Sequence, residues 1–400
     1  MSTRSTSAGQ SGAVERILVV GAGSGGTMVA NKLDRSLGGL ASVTVVDRSP
    51  VHRYQPAYYL DPFGYAAIES TSRETRDLLR SDIRFHQATV ERFAPAEQAV
   101  VTSEATLHYD RLVVALGHRT APDRQPGLAE GWAQTPERDA VYPFYEPEPA
   151  RELGDALDEL TGADRLVITV PETPVSCSGA PLKFALLAED ALPPATTVTL
   201  LQPGTQLFGD GPKEPYDEAL QELWDDRDVE VRQKFTVDHV APEDDRVHAT
   251  DGRSVEYDLY APVPPQAPPR ALAESSLVGP AGYLEVDSET LRHRQENRVY
   301  GIGDCTDLPT SKTAAAARKQ AHVLTENIVA DTTSVVDEAH YDGTTACPLL
   351  TRKGHAILAM FDYEKPVAPA IESRLAWLVD IHLIPRLYWL WMRGYDPVPL

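Results

Sequence analysis

RILVVGAGSGGTMVANKL, residues 16–33, begins as an apolar run, continues through closely spaced glycines and ends in small and apolar residues. This order predicts a β-strand, a tight turn and a helix. Gly21, Gly23 and Gly26 have the spacing G-x-G-x-x-G, in which the second glycine lets the backbone approach a pyrophosphate. Asp47 ends the next predicted strand, about 20 residues further on, as an acceptor for ribose hydroxyls. The stretch therefore predicts a dinucleotide-binding unit.

Predicted strands and helices alternate through most of the remaining chain. Helix, strand, helix, strand and helix are predicted in turn for RELGDALDELTG, RLVITV, APLKFALLAEDAL, TVTLLQPG and YDEALQELWDDRD. This pattern is typical of an α/β protein, here with two Rossmann-like, doubly wound units and a C-terminal helical segment. We expect a disordered N-terminus at 1–14, a discontinuous dinucleotide domain at 15–120 and 290–330, a second Rossmann-like domain at 121–289, and a C-terminal region at 331–400.

The C-terminal segment ESRLAWLVDIHLIPRLYWLWMRGY, residues 372–395, holds three of the five tryptophans. Charges at Arg374, Asp380 and Arg386, together with Pro385, interrupt it. The longest uncharged run is far shorter than the ~20 residues that span a bilayer. The pattern favours two short amphipathic helices lying on a membrane surface. The alternative is a helix packed on the core or on a second copy of the chain.

The charge balance limits the classes of partner. The chain has 59 acidic and 37 basic residues, a net charge of −22, which repels the phosphates of nucleic acids. Only eight of the basic residues are lysines, and an acidic, lysine-poor surface leads to the hypothesis of a halophilic source. The start of the chain lacks the apolar core of a signal peptide, so we expect the protein in the cytoplasm. The histidines have no metal-ligand spacing, so we expect no metal. His52 and His118 are interpreted as structural or solvent-facing, with a proton relay as the alternative role for His118.

The stretch RLVITVPETPVSCSGAPLKF, residues 165–184, predicts a second strand, turn and helix. Pro171, Pro174 and Ser176 stand where a second nucleotide cradle would need glycine, and proline lacks the N–H that a phosphate uses. The second unit is therefore predicted to have kept its scaffold and lost its nucleotide. Cys177 lies at this turn.

Three cysteines are too few for a disulfide framework. A thiolate before a helix N-terminus has a lowered pKa, which makes Cys177 a candidate redox group, with Lys183 able to assist. Cys347 is the second candidate, because distant residues can meet over a cofactor and a thiol pair suits two-electron chemistry. Cys305 is interpreted as a packed residue.

Two further stretches indicate whether the first dinucleotide-binding unit holds FAD or NAD. VYGIGDCTD, with Gly303 and Asp304, resembles the second FAD-binding motif of flavoproteins with two dinucleotide domains, in which the aspartate holds the ribityl chain. YDRLVVALG, which ends at Gly117, resembles the companion motif at the crossing between domains. The first cradle is therefore expected to hold FAD.

Four stretches together resemble the sulfide:quinone oxidoreductases, a family of the disulfide-reductase-like flavoprotein superfamily. They are TPVSCSGAPLKF, GIGDCTDLPTSKTAAAA, YDGTTACPLLTRKGHAILAMFDY and HRYQPAYYL. The end, LIPRLYWLWMRGY, is similar to the membrane-docking end of the mitochondrial-type branch. The resemblance covers residues 16–395.

The resemblance implies that Cys177 and Cys347 are the redox pair. Hydrosulfide attacks their oxidised form, one sulfur becomes a persulfide, and the other donates electrons to FAD. FAD then passes two electrons to a membrane quinone, and the sulfane sulfur leaves to an unidentified acceptor or grows into polysulfide. Many bacterial members carry a third cysteine upstream of Cys177; this chain has none, so FAD is expected to be non-covalent. The implied FAD positions are Gly21, Gly23, Gly26, Asp47, Gly117, Gly303, Asp304, Lys312 and Thr313.

Other functions remain open at this point. The alternatives are an enzyme like the type II NADH:quinone oxidoreductases, a soluble sulfide dehydrogenase that reduces a cytochrome, and a flavin–thiol sensor without turnover. The resemblance implies a peripheral protein on the cytoplasmic face of the cell membrane. A position of Arg352 and Lys353 near the quinone entrance is a hypothesis that the sequence leaves open. The sequence leaves the oligomeric state open, a homo-oligomer included.

Overall fold

The structure is a computed structural model that describes residues 14–396 except 139, 334 and 336, without the side chains of 134–138. The predicted disordered N-terminus lies outside the described residues, apart from its last position. The strands are β1 (Glu15–Val20), β2 (Ala41–Asp47), β3 (Val51–Arg53), β4 (Ser72–Glu74), β5 (Arg84–Gln87), β6 (Val90–Ala94), β7 (Ala99–Thr102), β8 (Thr106–His108), β9 (Arg111–Val114), β10 (Arg119–Thr120), β11 (Arg165–Thr169), β12 (Thr197–Leu201), β13 (Val229–Arg232), β14 (Val237–Ala241), β15 (Arg246–Ala249), β16 (Ser254–Glu256), β17 (Leu259–Pro262), β18 (Gln266–Ala267), β19 (Val299–Gly301), β20 (Thr345–Arg352), β21 (His355–Phe361) and β22 (Glu372–Ser373). The α-helices are α1 (Ser24–Leu37), α2 (Ala57–Leu60), α3 (Thr75–Leu78), α4 (Leu128–Arg138), α5 (Pro147–Glu159), α6 (Ala180–Ala191), α7 (Glu214–Asp225), α8 (Arg270–Ala273), α9 (Ala314–Thr333), α10 (Arg374–Leu378) and α11 (Ile384–Met392).

The first sheet is parallel and has the strand order β19-β9-β1-β2-β5. The last four residues of β1 are buried, as expected for a strand covered on both faces. Helix α1 follows β1 and packs on α9, which follows β19. The sheet is therefore completed by a strand from far along the chain.

The second sheet has the order β13-β12-β11-β17, again parallel, and α6 packs against three of its strands. These two parallel sheets confirm the α/β class with two Rossmann-like units. The proline-rich stretch APVPPQAPPRAL, residues 261–272, contains the end of β17 and all of β18, which pairs with β10. It is buried rather than free, with Gln266 only 3% exposed.

The C-terminal region begins with the antiparallel sheet β20-β21-β22, and α6 packs against β20. Helix α10, a π-helical turn at Val379–Leu383 and α11 then follow one another without a break. The two short helices predicted here are therefore present as α10 and α11, and the π turn, which ends two residues before Pro385, joins them into one helical run. None of the helices within the described ranges is long and apolar enough to cross a membrane.

Candidate active site

One cavity of about 870 Å³ gathers the candidate residues. The turn after β1, the end of β2, the stretch after β9, the start of α6, the start of α9 and the start of β20 all contribute to its wall. Its lining includes all of the predicted site residues except Gly26, namely Gly21, Gly23, Asp47, Gly117, Cys177, Gly303, Asp304, Lys312, Thr313 and Cys347.

The glycine-rich turn has the geometry that the motif requires. Gly21 has φ +102°, and a Cβ there would lie 2.3 Å from the carbonyl oxygen of Ala115. A Cβ on Gly26 would lie 1.9 Å from the carbonyl oxygen of Gly21, so α1 can pack this closely only without a side chain. A Cβ on Gly23 would meet nothing within 4 Å, which leaves its backbone open to the cavity.

Asp47 lies at the end of β2, on the cavity wall. One carboxylate oxygen accepts the N–H of Ala22 at 2.7 Å, and the other accepts the N–H of Ser49 at 2.8 Å. The side chain therefore ties the glycine-rich turn to the loop after β2. Its role as a ribose acceptor stays a prediction.

Asp304 and Lys312 connect the FAD-like motif directly to the cysteine turn. The hydroxyl of Ser176 donates to the carboxylate of Asp304, and the N–H of Cys177 donates to the carbonyl of Lys312 at 2.7 Å. The ammonium of Lys312 donates to the carbonyls of Asp304 and Thr306 at 2.9 and 2.8 Å, and burial lowers its pKa. Any group held at the start of α9 therefore lies beside the cysteine turn.

The two candidate thiols meet. The Sγ atoms of Cys177 and Cys347 are 3.3 Å apart although 170 residues separate them in the chain. The packing of α6 on β20 brings them together. A Cβ on Gly179, the residue before α6, would lie 2.7 Å from the sulfur of Cys347, so only glycine leaves room for that thiol. Cys177 itself has φ +57°, a left-handed conformation that is unusual outside glycine.

A buried lysine lies next to this pair. Lys183, in the first turns of α6, is only 3% exposed, and its ammonium is 3.6 Å from the sulfur of Cys177 and 3.1 Å from the hydroxyl of Tyr59. Burial alone would lower the pKa of Lys183, but the neighbouring sulfur of Cys177 and the phenol of Tyr59 raise it above its usual value. The site therefore holds a fixed positive charge at one of the two sulfurs.

The two sulfurs consequently differ in acidity. The hydrogen bond from the Cys347 thiol, and then the charge of Lys183, lower the pKa of Cys177 to about 5. The same hydrogen bond, together with burial, raises the pKa of Cys347 well above its usual value. At neutral pH the reduced pair is a thiolate at Cys177 and a thiol at Cys347.

Several residues at this site carry no motif and were missed from the sequence. The side-chain oxygen of Gln266 accepts the N–H of Ser176 at 2.8 Å, and the hydroxyl of Tyr145 donates to the carbonyl of Ser176 at 2.9 Å. Asp380, in the π turn, lines the cavity, and burial raises its pKa to about 6. No local pattern distinguishes a glutamine in a proline-rich stretch or an aspartate in an apolar tail, so no sequence signal could have found them.

Three further expectations concern Cys305, the pair Arg352 and Lys353, and metal binding. Cys305 is fully buried, donates to two carbonyls, and has its pKa raised to about 11 by burial, as expected of a packed residue. Arg352 pairs with Glu372 at 2.9 Å, and neither it nor Lys353 lines the cavity. Their position near a quinone entrance stays a prediction. Over the residues that the structure describes, no cluster of three or more His, Cys, Asp or Glu could hold a metal ion.

The cavity fits FAD on three observations. The backbone at Gly23 is open where a pyrophosphate would lie, and the start of α9 faces the same space with its N–H groups. His118 lines the cavity, burial lowers its pKa, and its Nε2 atom has no hydrogen-bond partner among the described residues. A buried polar atom without a partner points to a group that supplies one.

Comparisons with known proteins agree with this geometry. The chain matches the pyridine nucleotide-disulphide oxidoreductase family over residues 15–321. It is 32% identical to the mitochondrial sulfide:quinone oxidoreductase of Mus musculus, over 95% of this chain and 86% of the mouse protein. The crystal structure of the sulfide:quinone oxidoreductase from the hyperthermophilic bacterium Aquifex aeolicus gives a TM-score of 0.76 at 18% identity, covering 95% of this chain and 91% of that one. The NDH2 of Plasmodium falciparum in complex with NADH gives a TM-score of 0.69 at 12% identity, covering 95% and 98%.

The structural matches, at identities of 18% and 12%, show the fold alone. The mouse relative and the family match go further, because they span most of the chain. They confirm the resemblance found in the four motif stretches. The chain belongs to the sulfide:quinone oxidoreductase family, within the pyridine nucleotide-disulphide oxidoreductases.

Proposed function

We propose that this protein is an enzyme that oxidises hydrosulfide to sulfane sulfur through Cys177 and Cys347, with FAD as cofactor and a membrane quinone as acceptor. One observation carries the proposal: two thiols 3.3 Å apart, beside a buried lysine, open into the cavity that the dinucleotide motifs line. FAD, when bound there, supplies the two-electron step between the thiols and the quinone.

The unequal acidity of the sulfurs assigns their roles. In thiol–disulfide exchange the sulfur with the lower pKa leaves faster. Hydrosulfide therefore attacks the sulfur of Cys347; a new S–S bond forms there, and the bond to Cys177 breaks. The products are a persulfide, S–SH, on Cys347 and a thiolate on Cys177, so atoms and charge balance. Lys183 stabilises the departing thiolate of Cys177, and the outer sulfur then passes to a nucleophilic acceptor.

The C-terminal helix supports docking on a membrane surface. Its outward side carries Leu375, Leu378, Leu383 and Leu390, which are 71%, 51%, 44% and 44% exposed. Apolar area of this kind stabilises a helix in the interface of a bilayer. Val379 and Ile384, on the same helical run, line the cavity, so the helix offers a quinone a route from lipid to the site. We propose peripheral docking on the cytoplasmic face.

A reaction with NADH is disfavoured at the second Rossmann-like unit. The N–H of Ser176 is bonded to Gln266 and the N–H of Cys177 to Lys312, so neither is free for a phosphate. Pro171 and Pro174 in the same turn have no N–H at all. A flavin–thiol sensor would have the same thiol geometry as the proposed enzyme, and only the lack of catalytic turnover would distinguish the two.

An anaerobic sulfide titration followed by flavin absorbance tests the proposal. Wild type should show a thiolate–flavin charge-transfer band and bleaching, and a quinone analogue should restore the oxidised spectrum. Cys177→Ser and Cys347→Ser should keep FAD and lose sulfide-driven bleaching by at least about 100-fold, as for removal of a nucleophile. Cys305→Ser is the matched control and should behave as wild type. Bleaching by NADH, near-wild-type rates in either active-site variant, or no reoxidation by quinone would contradict the proposal.

A further inference from the structure

The inner side of α11 meets the glycine-rich turn through a chain of side chains. The hydroxyl oxygen of Tyr388 is 2.8 Å from the hydroxyl of Ser24 and 2.6 Å from Nε2 of His52. The Nδ1 atom of His52 is 3.0 Å from the carbonyl oxygen of Ala22. All four residues line the cavity. A residue near the end of the chain is thus bonded to both ends of the turn in which the pyrophosphate would lie.

Chemistry fixes the direction of each hydrogen bond. A carbonyl oxygen only accepts, so Nδ1 of His52 carries its hydrogen. Burial lowers the pKa of His52, so the ring is neutral and Nε2 accepts the hydrogen of the Tyr388 hydroxyl. The oxygen of Tyr388 is then left to accept from the hydroxyl of Ser24. The chain of donors and acceptors is complete only when α11 is in place.

A second set of contacts fixes the end of the same helix. Asn31, on α1, is fully buried and donates to the carbonyl of Met392 at 2.7 Å. The carboxylate of Asp396 binds Lys32 on α1 at 2.9 Å and Arg318 on α9 at 2.7 Å. Both α1 and α9 begin at the cavity, so the C-terminal helix bridges the two helices whose N-termini face it.

We propose that α11 is a part of the cofactor site as well as a membrane contact, with Tyr388 as the positioning residue that ties it to the glycine-rich turn. This rests on the FAD binding in the proposed function. Retention of FAD and docking of α11 then stabilise each other, because coupling between two binding events is reciprocal.

The test measures how fast FAD leaves the purified holoenzyme, from the rise in its fluorescence on dilution. Tyr388→Phe keeps the ring and removes one hydroxyl, which leaves Nε2 of His52 buried without a donor. FAD should leave about 10-fold faster, as for loss of a buried hydrogen bond. Ser24→Ala removes only the hydrogen bond between Ser24 and Tyr388, so it should increase the rate of FAD release by a smaller factor. Tyr395→Phe is the matched control, because that ring is half exposed outside the cavity, and should behave as wild type.

Limited proteolysis supplies a second readout. In wild type, adding FAD to apoprotein should slow cleavage within residues 374–392 by at least about 10-fold, by the same coupling, and Tyr388→Phe should reduce that protection. Unchanged FAD release in Tyr388→Phe, or equal cleavage of apo and holo protein, would overturn the inference. Neither measurement uses sulfide or quinone: a protein that holds FAD through Tyr388 without oxidising sulfide would refute the proposed function alone.

Discussion

At the scale of single residues, Lys183 adds to the difference in acidity that the hydrogen bond between Cys347 and Cys177 creates. The lysine is buried in the first turns of α6 and lies beside one sulfur only. A positive charge that cannot reach water favours an anion next to it, so in the proposed mechanism it favours Cys177 as the sulfur that leaves.

Replacing this lysine should change the pH at which the thiolate disappears. In the reduced wild type, the pKa of Cys177 is about 5, so the thiolate persists above that pH and is lost as pH falls through it. In Lys183→Met the pKa should move upward towards the ordinary thiol value of 9.0, so the thiolate is lost at a higher pH. Ultraviolet thiolate absorbance measures this, with Lys353→Met as the exposed control. A midpoint that stays near 5 would mean that the bond from Cys347 alone sets the acidity.

At the scale of elements, the π turn between α10 and α11 holds a buried carboxyl, Asp380, that lowers the stability of the fold. Asp380 is 8% exposed, and its Oδ2 atom has no hydrogen-bond partner among the described residues. Burial raises its pKa from 3.8 to about 6, although the charge of Lys183 opposes the shift. A carboxyl with a raised pKa destabilises the fold above that pH, where the unfolded chain is already ionised.

Asp380→Asn should therefore stabilise the protein in a pH-dependent way. The gain should reach about 3 kcal/mol above pH 6 and vanish towards pH 4, where both forms are neutral. Thermal unfolding at several pH values measures it, with the exposed Asp158→Asn on α5 as control. A loss of stability at pH 8 would show instead that the carboxylate makes a contact that the fold needs.

The outward leucines of the same helical run give a cleaner test of membrane docking than removal of the tail. Deleting residues 372–400 would also remove the contacts of Tyr388 and Asp396, so FAD loss and membrane release would be confused. Leu375→Gln, Leu378→Gln and Leu390→Gln together should weaken vesicle binding by more than about 100-fold, since each leucine contributes on the order of 1.5 kcal/mol. FAD content should stay unchanged. The exposed Leu40→Gln is the control; triple-variant protein that still sediments with vesicles would contradict docking by this face.

At the scale of the whole molecule, the chain has 59 acidic residues and a net charge of −22. Self-repulsion of this size destabilises a compact state, and salt screens it. The midpoint of urea unfolding should therefore rise steeply between low and molar salt, as the hypothesis of a halophilic source requires. A midpoint indifferent to sodium chloride would leave that hypothesis without support.

Whether a feature could be predicted from the sequence depends on how far apart along the chain its residues lie. Gly21, Gly23 and Gly26 lie within six residues, in the turn after β1 and the first turn of α1, and their spacing alone predicted the geometry of this stretch. The meeting of Cys177 with Cys347 followed from family resemblance, because nothing local links residues 170 positions apart. Other contacts had no such signal. Gln266, Tyr388 and Asp380 join the site only through packing between elements, which one-dimensional patterns do not encode.

Strand β19 completes the first sheet from position 299 onward, and the start of α9 comes later still. Translation must therefore pass residue 314 before both parts of the predicted cofactor site are present. Until then the nascent polypeptide carries the glycine-rich turn without β19 in its sheet and without the start of α9 beside the cofactor cavity. Flavin loading is consequently a late event in biogenesis, and a product terminated before residue 314 should emerge colourless however well its leading half folds.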